Sequence, residues 1–244
     1  MAIKIASLKF STEEEPFFDD VEIDDEGTIM HLDSAGWAHN LNGPAIEKAD
    51  GTKEWRIHGN LHREDGPAIE EADGTREWWV KGKRHRLDGP AVEKADGTRE
   101  WWVNNRRHRL DGPAVERADG EKEWWVNGRH HRIGKPAVEY PDGTKFWYQN
   151  GNLHRIGGPA IEDADGTRKW CVNDKLHRVD GPAIEYADGG KEWYIRDKLH
   201  RLDGPAIELA DGTKEWHVNG ELIGTSEGGF TQRKFEQWKR KRGL

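Results

Sequence analysis

The chain has 244 residues, a net charge of −8, one cysteine, and 34% each of apolar and charged residues. The lone Cys171 excludes an internal disulfide and a zinc cluster of several thiolates. The negative charge argues against nucleic-acid binding by the body of the chain. No segment approaches the roughly 20 apolar residues that span a bilayer, and residues 1–10 lack the apolar core of a signal peptide. These features predict a soluble, cytoplasmic protein.

The first 38 residues differ from the rest of the chain. Residues 1–20 belong to no repeat: Ile3 to Phe10 alternates like a short strand, and an acidic segment follows. Residues 21–38 match the later repeats loosely, with Leu32 near the place where those repeats have Trp. We therefore expect a degenerate half-repeat that caps the array.

Residues 39–222 consist of eight repeats of 23 residues without insertion or deletion. The recurring histidines are His39, His62, His85, His108, His131, His154, His177 and His200. The recurring tryptophans are Trp55, Trp78, Trp101, Trp124, Trp147, Trp170, Trp193 and Trp216. A fixed short period predicts an array in which each repeat buries its apolar face on its neighbours. Thirteen tryptophans in all argue against disorder despite the low apolar content.

Each repeat contains the signature of a β-hairpin. Asp-Gly separates two strand-like pieces, Pro90 to Glu93 and Thr98 to Val103. A two-residue Asp-Gly loop would place like charges opposite each other. A three-residue Ala-Asp-Gly loop instead sets Glu93 opposite Arg99 and Ala91 opposite Trp101, so we favour that register.

A second turn, Asn-Gly-Lys-x-His-Arg-x-Asp-Gly-Pro, connects successive hairpins. Residues 223–244 end the array, and Thr231 as N-cap predicts a short basic helix over about 231–241 that covers the open end of the sheet. The predicted fold is all-β: an elongated, twisted antiparallel β-hairpin repeat array with a short C-terminal capping helix.

The position after the recurring Trp holds a row of aromatic side chains, which we call the aromatic row. Its members are Trp79, Trp102, Trp125, Tyr148 and Tyr194. Neighbouring strand residues point to opposite faces, so the row lies on the face away from the recurring Trp. An exposed row would bind a partner. The alternative is that the turn segments cover it.

The His-Arg pairs offer a second candidate surface. Arg86, Arg109 and Arg132 could form cationic sites for phosphates or acidic groups. The structural alternative, which we favour, pairs Arg86 with Asp88 and lets His85 bond the turn backbone. Successive histidines lie about 9–10 Å apart, too far to share a metal ion.

The C-terminal run Lys239, Arg240, Lys241 and Arg242 is a third candidate, for nucleic acid or an acidic partner. The alternatives are favourable charge at a helix C-terminus or neutralisation by the acidic N-terminal segment. The chain has no nucleophile elbow, phosphate loop or HExxH motif, so we predict no enzyme activity, no metal and no cofactor.

The repeat resembles the MORN repeat, which shares the 23-residue period, the Asp-Gly turn and a Gly-Lys-x-His element, matched here by Gly82 to His85. The Tyr-x-Gly-x-Trp core of that family is Glu-Trp-Trp-Val in this chain. The repeat is still more similar to the His-Arg-Glu-Asp-Gly-Pro-Ala repeats of large bacteriophages and giant viruses, which His62 to Ala68 spells in full. The resemblance covers about three quarters of the chain.

These resemblances imply a scaffold or dimerisation module, and in a virus a protein of the host cytoplasm with a role such as counter-defence. Our leading expectation is a non-enzymatic scaffold that binds a protein partner, or a second copy of the chain, through the aromatic row. One alternative is a trap for a nucleotide-like signal, held by Trp stacking and Arg. The other is a lipid-binding module, which the net charge disfavours.

Overall fold

The computed structural model describes residues 3–5 and 20–244. The remainder of the predicted strand Ile3 to Phe10, and most of the acidic segment, lie outside the described residues. Contacts divide the chain into unit 1, Met1–Gly120 with Trp125–Gly128, and unit 2, Glu121–Trp124 with Arg129–Leu244. Both units consist of antiparallel hairpins, and the single helix of the described part belongs to unit 2. The predicted all-β hairpin array with a C-terminal helix is confirmed.

Each repeat folds its Asp-Gly segment into the three-residue loop that the charges predict. Glu93 lies opposite Arg99, and the Lys94 N–H donates to the Thr98 carbonyl at 2.9 Å. Gly97 closes the loop with φ +92°, a conformation that disfavours any side chain. The predicted three-residue loop and the pairing of Glu93 with Arg99 are therefore confirmed.

Short strands form these first hairpins throughout the array. In unit 1 they are Ile46–Glu47 with Lys53–Glu54, Ile69–Glu70 with Arg76–Glu77, Val92–Glu93 with Arg99–Glu100, and Val115–Glu116. In unit 2 they are Lys122–Glu123, Val138–Glu139 with Lys145–Phe146, Ile161–Glu162 with Arg168–Lys169, Ile184–Glu185 with Lys191–Glu192, and Ile207–Glu208 with Lys214–Val218.

Successive hairpins pair edge to edge within each unit. Arg99 lies opposite Glu93 of its own hairpin and opposite Glu116 of the next. A basic residue between two hairpins, such as Arg99, thus has a glutamate on both sides, and opposite charges across neighbouring strands favour the pairing.

The structure differs from the prediction at the recurring Trp, where the expected strand Thr98 to Val103 breaks in two. The Ala91 N–H donates to the Glu100 carbonyl at 2.8 Å, while the Trp101 N–H donates to Ala114 of the following repeat, also at 2.8 Å. Trp101 is therefore not paired with Ala91 as expected, because its backbone hydrogen bond goes to the next repeat.

The chain then forms a second hairpin that the sequence analysis did not predict. Its loop has two residues, and in the third complete repeat Asn104 and Asn105 have φ of +50° and +61°. Two successive positive φ angles define the type I′ turn, which suits the twist of a tight hairpin.

The strands of the second hairpins are also short. In unit 1 they are Arg56–Ile57 with Asn60–Leu61, Trp79–Val80 with Lys83–Arg84, Trp102–Val103 with Arg106–Arg107, and Trp125–Val126. In unit 2 they are Arg129–His130, Tyr148–Gln149 with Asn152–Leu153, Cys171–Val172 with Lys175–Leu176, and Tyr194–Ile195 with Lys198–Leu199. The last repeat extends its strand and pairs Lys214–Val218 with Glu221–Thr225.

The alanine of each Pro-Ala pair belongs to the buried interior. These alanines are fully buried: Ala45, Ala68, Ala91, Ala114, Ala137, Ala160, Ala183 and Ala206. The Ala91 N–H donates to the Glu100 carbonyl of the same hairpin. The Ala91 carbonyl accepts from the Trp78 N–H of the preceding repeat at 2.8 Å. A small side chain suits a position where backbones on both sides are hydrogen-bonded.

The N-terminal residues form a hairpin that pairs with a third strand. Ile3–Ile5 pairs with Asp20–Ile23, which forms a hairpin with Ile29–Leu32. The His31 N–H donates to Ala45 at 2.8 Å, as the recurring Trp does in complete repeats. His31 therefore takes the place that the sequence analysis gave to Leu32.

The C-terminal helix, α1, spans Gln232–Arg240. Thr231 is its N-cap and accepts from the Lys234 N–H, as predicted. The helix buries Phe235 against Trp216 and Val218 of the last repeat. It thereby covers apolar residues that the final repeat would otherwise leave open.

Candidate binding surfaces

Each repeat presents two faces, separated by the alternation of side chains after the strand break. Trp101 and Val103 line a cleft of about 500 Å³ together with Leu87 and Leu110. We call this side, which carries the His-Arg-x-Asp-Gly-Pro loops, the loop face. Trp102, between them in the chain, lines another cleft on the side that we call the ladder face.

On the loop face the arginine of each His-Arg pair is held in a cage. The Arg86 guanidinium lies 4.0 Å from the centroid of the Trp78 ring. It also donates to Asp88 at 3.0 Å, to the Pro90 carbonyl at 3.1 Å and to Glu93 at 3.3 Å. These contacts agree with the structural alternative, in which Arg86 pairs with Asp88 of its own loop.

Arg109 and Arg132, the other two arginine candidates, have the same kind of cage. Arg109 lies over Trp101 at 3.9 Å and donates to Asp111 at 3.0 Å. Arg132 lies over Trp124 at 3.7 Å and donates to Glu139 at 2.9 Å. Gly134 stands where most loops have the aspartate, so Arg132 lacks that carboxylate partner. An anion would have to compete with these internal carboxylates.

The glycine of Asp-Gly-Pro closes the cage from the other side. A Cβ added to Gly89 would lie 2.8 Å from Cζ of Arg86, so a side chain there would push the guanidinium away. The hydrogen bond from Arg86 lowers the pKa of the Asp88 carboxyl below its usual value. The loop is thus a charged but internally paired structure.

The recurring histidines support the second hairpins. His85 Nδ1 accepts from the Asn104 N–H at 3.3 Å, and His108 Nδ1 accepts from the Asn127 N–H at 3.1 Å. At His85 this acceptor role places the proton of a neutral ring on Nε2. The contact is the one expected under the structural alternative for His85.

Members of the aromatic row are partly buried on the ladder face. Trp79 Nε1 donates to Glu77 at 2.7 Å, and Trp102 Nε1 donates to Glu100 at 3.0 Å. The Tyr194 hydroxyl likewise donates to Glu192 at 2.8 Å. These three members of the aromatic row therefore each donate a hydrogen bond to the glutamate two residues earlier in the chain.

The remaining members have different surroundings. Tyr148 stacks on Phe146, with ring centroids 6.3 Å apart, in a repeat that has no glutamate at that position. Burial raises the pKa of Tyr148 above its usual value, and burial with the Glu192 hydrogen bond does the same for Tyr194. Trp125 is partly buried and lies on the cleft that contains Trp102.

Arginines alternate with the tryptophans of the row in unit 1. The Arg84 guanidinium lies 4.9 Å from the Trp79 ring and 5.5 Å from the Trp102 ring. Arg107 lies 5.2 Å from Trp102 and 5.3 Å from Trp125. The space between neighbouring rings, about 340 Å³ in the cleft at Arg107, thus already contains a guanidinium.

The loop face carries exposed apolar side chains that the sequence analysis did not identify. They occupy the variable position of His-Arg-x-Asp-Gly-Pro and are 63–84% exposed where nothing covers them. They are Leu41, Leu87 and Leu110 in unit 1, and Ile133, Ile156 and Val179 in unit 2. Glu64 takes this position in one repeat, a signal in the sequence that the site is exposed.

The C-terminal basic residues divide between helix contacts and solvent. Lys239 Nζ donates to the Leu202 carbonyl at 2.6 Å and pairs with Glu236 at 2.9 Å. Arg242 lies over the Trp238 ring at 4.4 Å. Arg240 and Lys241 are exposed. Lys239 and Arg242 therefore have structural contacts of their own.

One group of the described residues has ligand atoms close enough to hold a metal ion. Potential ligand atoms of Asp33, His39 and His58 lie within 4.8 Å of one another. His58 Nδ1 is 2.8 Å from the Asp33 carboxylate, and His39 Nδ1 accepts from the His58 backbone N–H at 3.1 Å. Metal binding would have to displace the His58–Asp33 pair.

No protein-family model matches the chain, and a search of curated proteins finds no match either. The resemblances to MORN repeats and to viral repeats therefore stay predictions. In the part of the chain that the structure describes, α1 is the single helix, and it is too short and too polar to cross a bilayer.

Proposed function

We propose that the chain is a non-enzymatic repeat scaffold that binds a protein partner through its loop face. The observation that carries this proposal is the recurrence of an almost fully exposed apolar side chain in successive loops, such as Leu87 and Leu110. Both line one cleft, together with Trp101 and Val103. Recurring exposed apolar residues are a feature of protein interfaces, since they gain most from being covered.

This proposal differs from the expectation drawn from the sequence in which face makes the contact. The aromatic row is partly buried and donates hydrogen bonds to glutamates, so it supports the fold as well as offering surface. The exposed loop residues, such as Leu87 and Leu110, are not buried in this way. We therefore place the primary contact on the loop face.

The test compares the two faces. We would immobilise the wild-type chain, a loop-face variant with Leu87→Asp and Leu110→Asp, and a ladder-face variant with Trp102→Ala and Trp125→Ala. Far-UV circular dichroism would confirm that each is folded. We expect cell-lysate proteins retained by the wild type and the ladder-face variant to be lost from the loop-face variant. If the wild type and the loop-face variant retain the same lysate proteins equally, the proposal is wrong.

The same capture addresses the partner's identity. The resemblance to viral repeats predicts a host protein, and mass spectrometry of the retained material would identify it. A second copy of the chain is the other partner expected from the MORN resemblance, and sedimentation velocity of the wild type measures that directly.

The nucleotide-trap alternative depends on stacking between row tryptophans. Arg107 already lies within 5.3 Å of both Trp102 and Trp125, so a base would have to displace it. We therefore rank this function second. Titrating nucleotides while recording tryptophan fluorescence should leave the emission unchanged.

A further inference from the structure

Three loops of the chain share the sequence His-Arg-Leu-Asp-Gly-Pro-Ala: His85 to Ala91, His108 to Ala114 and His200 to Ala206. The first two belong to unit 1 and are open, with Leu87 81% and Leu110 80% exposed. In the third, Leu202 is only 40% exposed. Identical loops therefore occur in a covered and an uncovered state.

The element that contacts the third loop is α1. Lys239 Nζ donates to the Leu202 carbonyl at 2.6 Å, and Gln232 Nε2 donates to the Asp203 carbonyl at 3.3 Å. The same helix face buries Phe235 on Trp216 and Val218. A helix with aromatic residues on one face and basic or amide side chains beside them thus fits this loop.

The open loops in unit 1 offer some of the groups that α1 contacts. Leu87 and Leu110 supply apolar surface, and the loop carbonyls have the same sequence context as those that α1 contacts. Asp88 and Asp111 add carboxylates whose side chains are 85% and 84% exposed. Each carboxylate has one arginine partner on its own loop, and its outward exposure leaves it able to attract a cation from a partner.

The spacing of the open loops also suits a helix. Two strands per repeat, at about 4.8 Å each, place Leu87 and Leu110 about 10 Å apart. Two turns of an α-helix advance about 10.8 Å, so residues seven apart would meet successive loops. Exposed leucines alternating with aspartates complement a helix whose apolar stripe is flanked by lysine and arginine.

We propose that the open leucine loops, Leu87–Asp88 and Leu110–Asp111, bind a basic amphipathic helix of a partner protein. The proposal rests on the proposed scaffold function and specifies the kind of partner segment. Its precedent is within the chain, since α1 itself is basic and carries Phe235 and Trp238 on one face.

The probe is a fluorescein-labelled peptide of residues 230–244, titrated with the full chain and followed by fluorescence anisotropy. We expect it to bind the wild type and to bind the Leu87→Asp, Leu110→Asp variant at least about tenfold more weakly. Leu209→Asp, which changes an exposed leucine of a different loop, should leave the affinity unchanged. A peptide with Phe235→Ala and Trp238→Ala should fail to bind the wild type.

Several outcomes would overturn the inference. One is no binding of the peptide to the wild type. Another is equal affinity for the wild type and the Leu87→Asp, Leu110→Asp variant, which would mean that the peptide replaces α1 at its own site. A Leu87→Ser, Leu110→Ser variant repeats the test without adding charge.

The peptide experiment and the capture experiment fail separately. If capture depends on the leucine loops but the peptide does not bind there, the partner segment is not a basic helix and only this inference is lost. If capture does not depend on those loops, the scaffold proposal itself is lost, whatever the peptide does.

Discussion

The guanidinium of Arg109 lies 3.9 Å from the ring centroid of Trp101, a residue of the preceding repeat. The same side chain donates to Asp111 at 3.0 Å and to Glu116 at 3.1 Å. One arginine thus connects a loop, a strand and the neighbouring repeat. Such connections between repeats add to the stabilisation that each repeat gains from burying apolar side chains on its neighbours.

Replacing Arg109 should destabilise the array. Arg109→Ala removes a cation–π contact and the hydrogen bonds to Asp111 and Glu116, so we expect a loss of about 1–3 kcal/mol in the free energy of unfolding. Arg109→Lys should lose somewhat less, because lysine keeps the charge but cannot bridge several acceptors. Urea denaturation measures both, with Lys83→Ala as a control at an exposed cation. Equal stability of Arg109→Ala and Lys83→Ala would contradict this account of the cage.

Gly112 tests the other wall of the same cage. A Cβ at this position would lie 2.7 Å from Cζ of Arg109, so Gly112→Ala should cost about 1–3 kcal/mol by displacing the guanidinium. In an Arg109→Ala background the same change should cost much less, since the clashing atoms are gone. A double-mutant cycle in urea gives the coupling. An identical cost in both backgrounds would show that the glycine is needed for another reason.

The ladder face allows a test of its buried charge. Glu100 is 6% exposed and accepts from Arg107 at 3.2 Å, whereas the equivalent pair two repeats later is Phe146 with Leu153. Arg107→Leu alone should cost about 3 kcal/mol, because it removes a charged partner of a buried carboxylate.

The double change Glu100→Phe with Arg107→Leu copies the apolar pair and should recover most of the lost stability. Thermal denaturation of the two single variants and the double variant provides the comparison. A double variant as unstable as the sum of the single ones would show that the pair does not act as a unit.

Much of the fold follows from sequence because its determinants are local. Asp-Gly loops, the Glu–Arg register and the Thr231 cap all depend on residues within a few positions of one another, and the structure contains each. The break at Trp101 does not follow from local pattern, because its cause is a hydrogen bond to Ala114 in the next repeat. Strand propensity across Thr98 to Val103 gives no sign of that bond.

The second hairpin was missed for a different reason. Asn-Gly at 127–128, 150–151 and 219–220 is a strong hairpin signal, but the other repeats use His58–Gly59, Lys81–Gly82, Asn104–Asn105, Asn173–Asp174 and Arg196–Asp197. An average over repeats therefore hides it. The exposed leucines were missed because an apolar residue in a repeat usually predicts a core position; only Glu64, the charged exception, indicates otherwise.

Cys171 should be unreactive in the folded protein. Burial raises the pKa of its thiol to about 11, from an ordinary 9.0, so almost no thiolate is present at pH 8. Iodoacetamide at pH 8 should label the native chain slowly and the urea-unfolded chain fully, as mass spectrometry would show. Rapid labelling of the native protein would contradict this burial.

The same pKa shift predicts an alkaline effect on stability. Because the thiol ionises less readily when folded, its contribution to stability is complete below pH 9 and is lost as pH rises to about 11. Cys171→Ala should remove this part of the pH dependence. The check is to measure the melting temperatures of both proteins from pH 8 to pH 11. If the two change with pH by the same amount, the thiol makes no such contribution.

Glu64 provides a gain-of-function test of the leucine loops. Glu64→Leu converts His62 to Ala68 into the sequence of the loops that carry Leu87 and Leu110. A fourth exposed loop leucine in unit 1 should strengthen binding of the 230–244 peptide by roughly fivefold, about the effect of covering part of one leucine side chain.

The matched control at this position is Glu64→Gln, which removes the same charge without adding apolar surface. Since the peptide is basic, losing a carboxylate that is 82% exposed should weaken its binding slightly. The two substitutions should therefore shift the anisotropy titration in opposite directions. A shift in the same direction for both would mean that charge alone governs the contact, and that the leucines do not contribute to helix recognition.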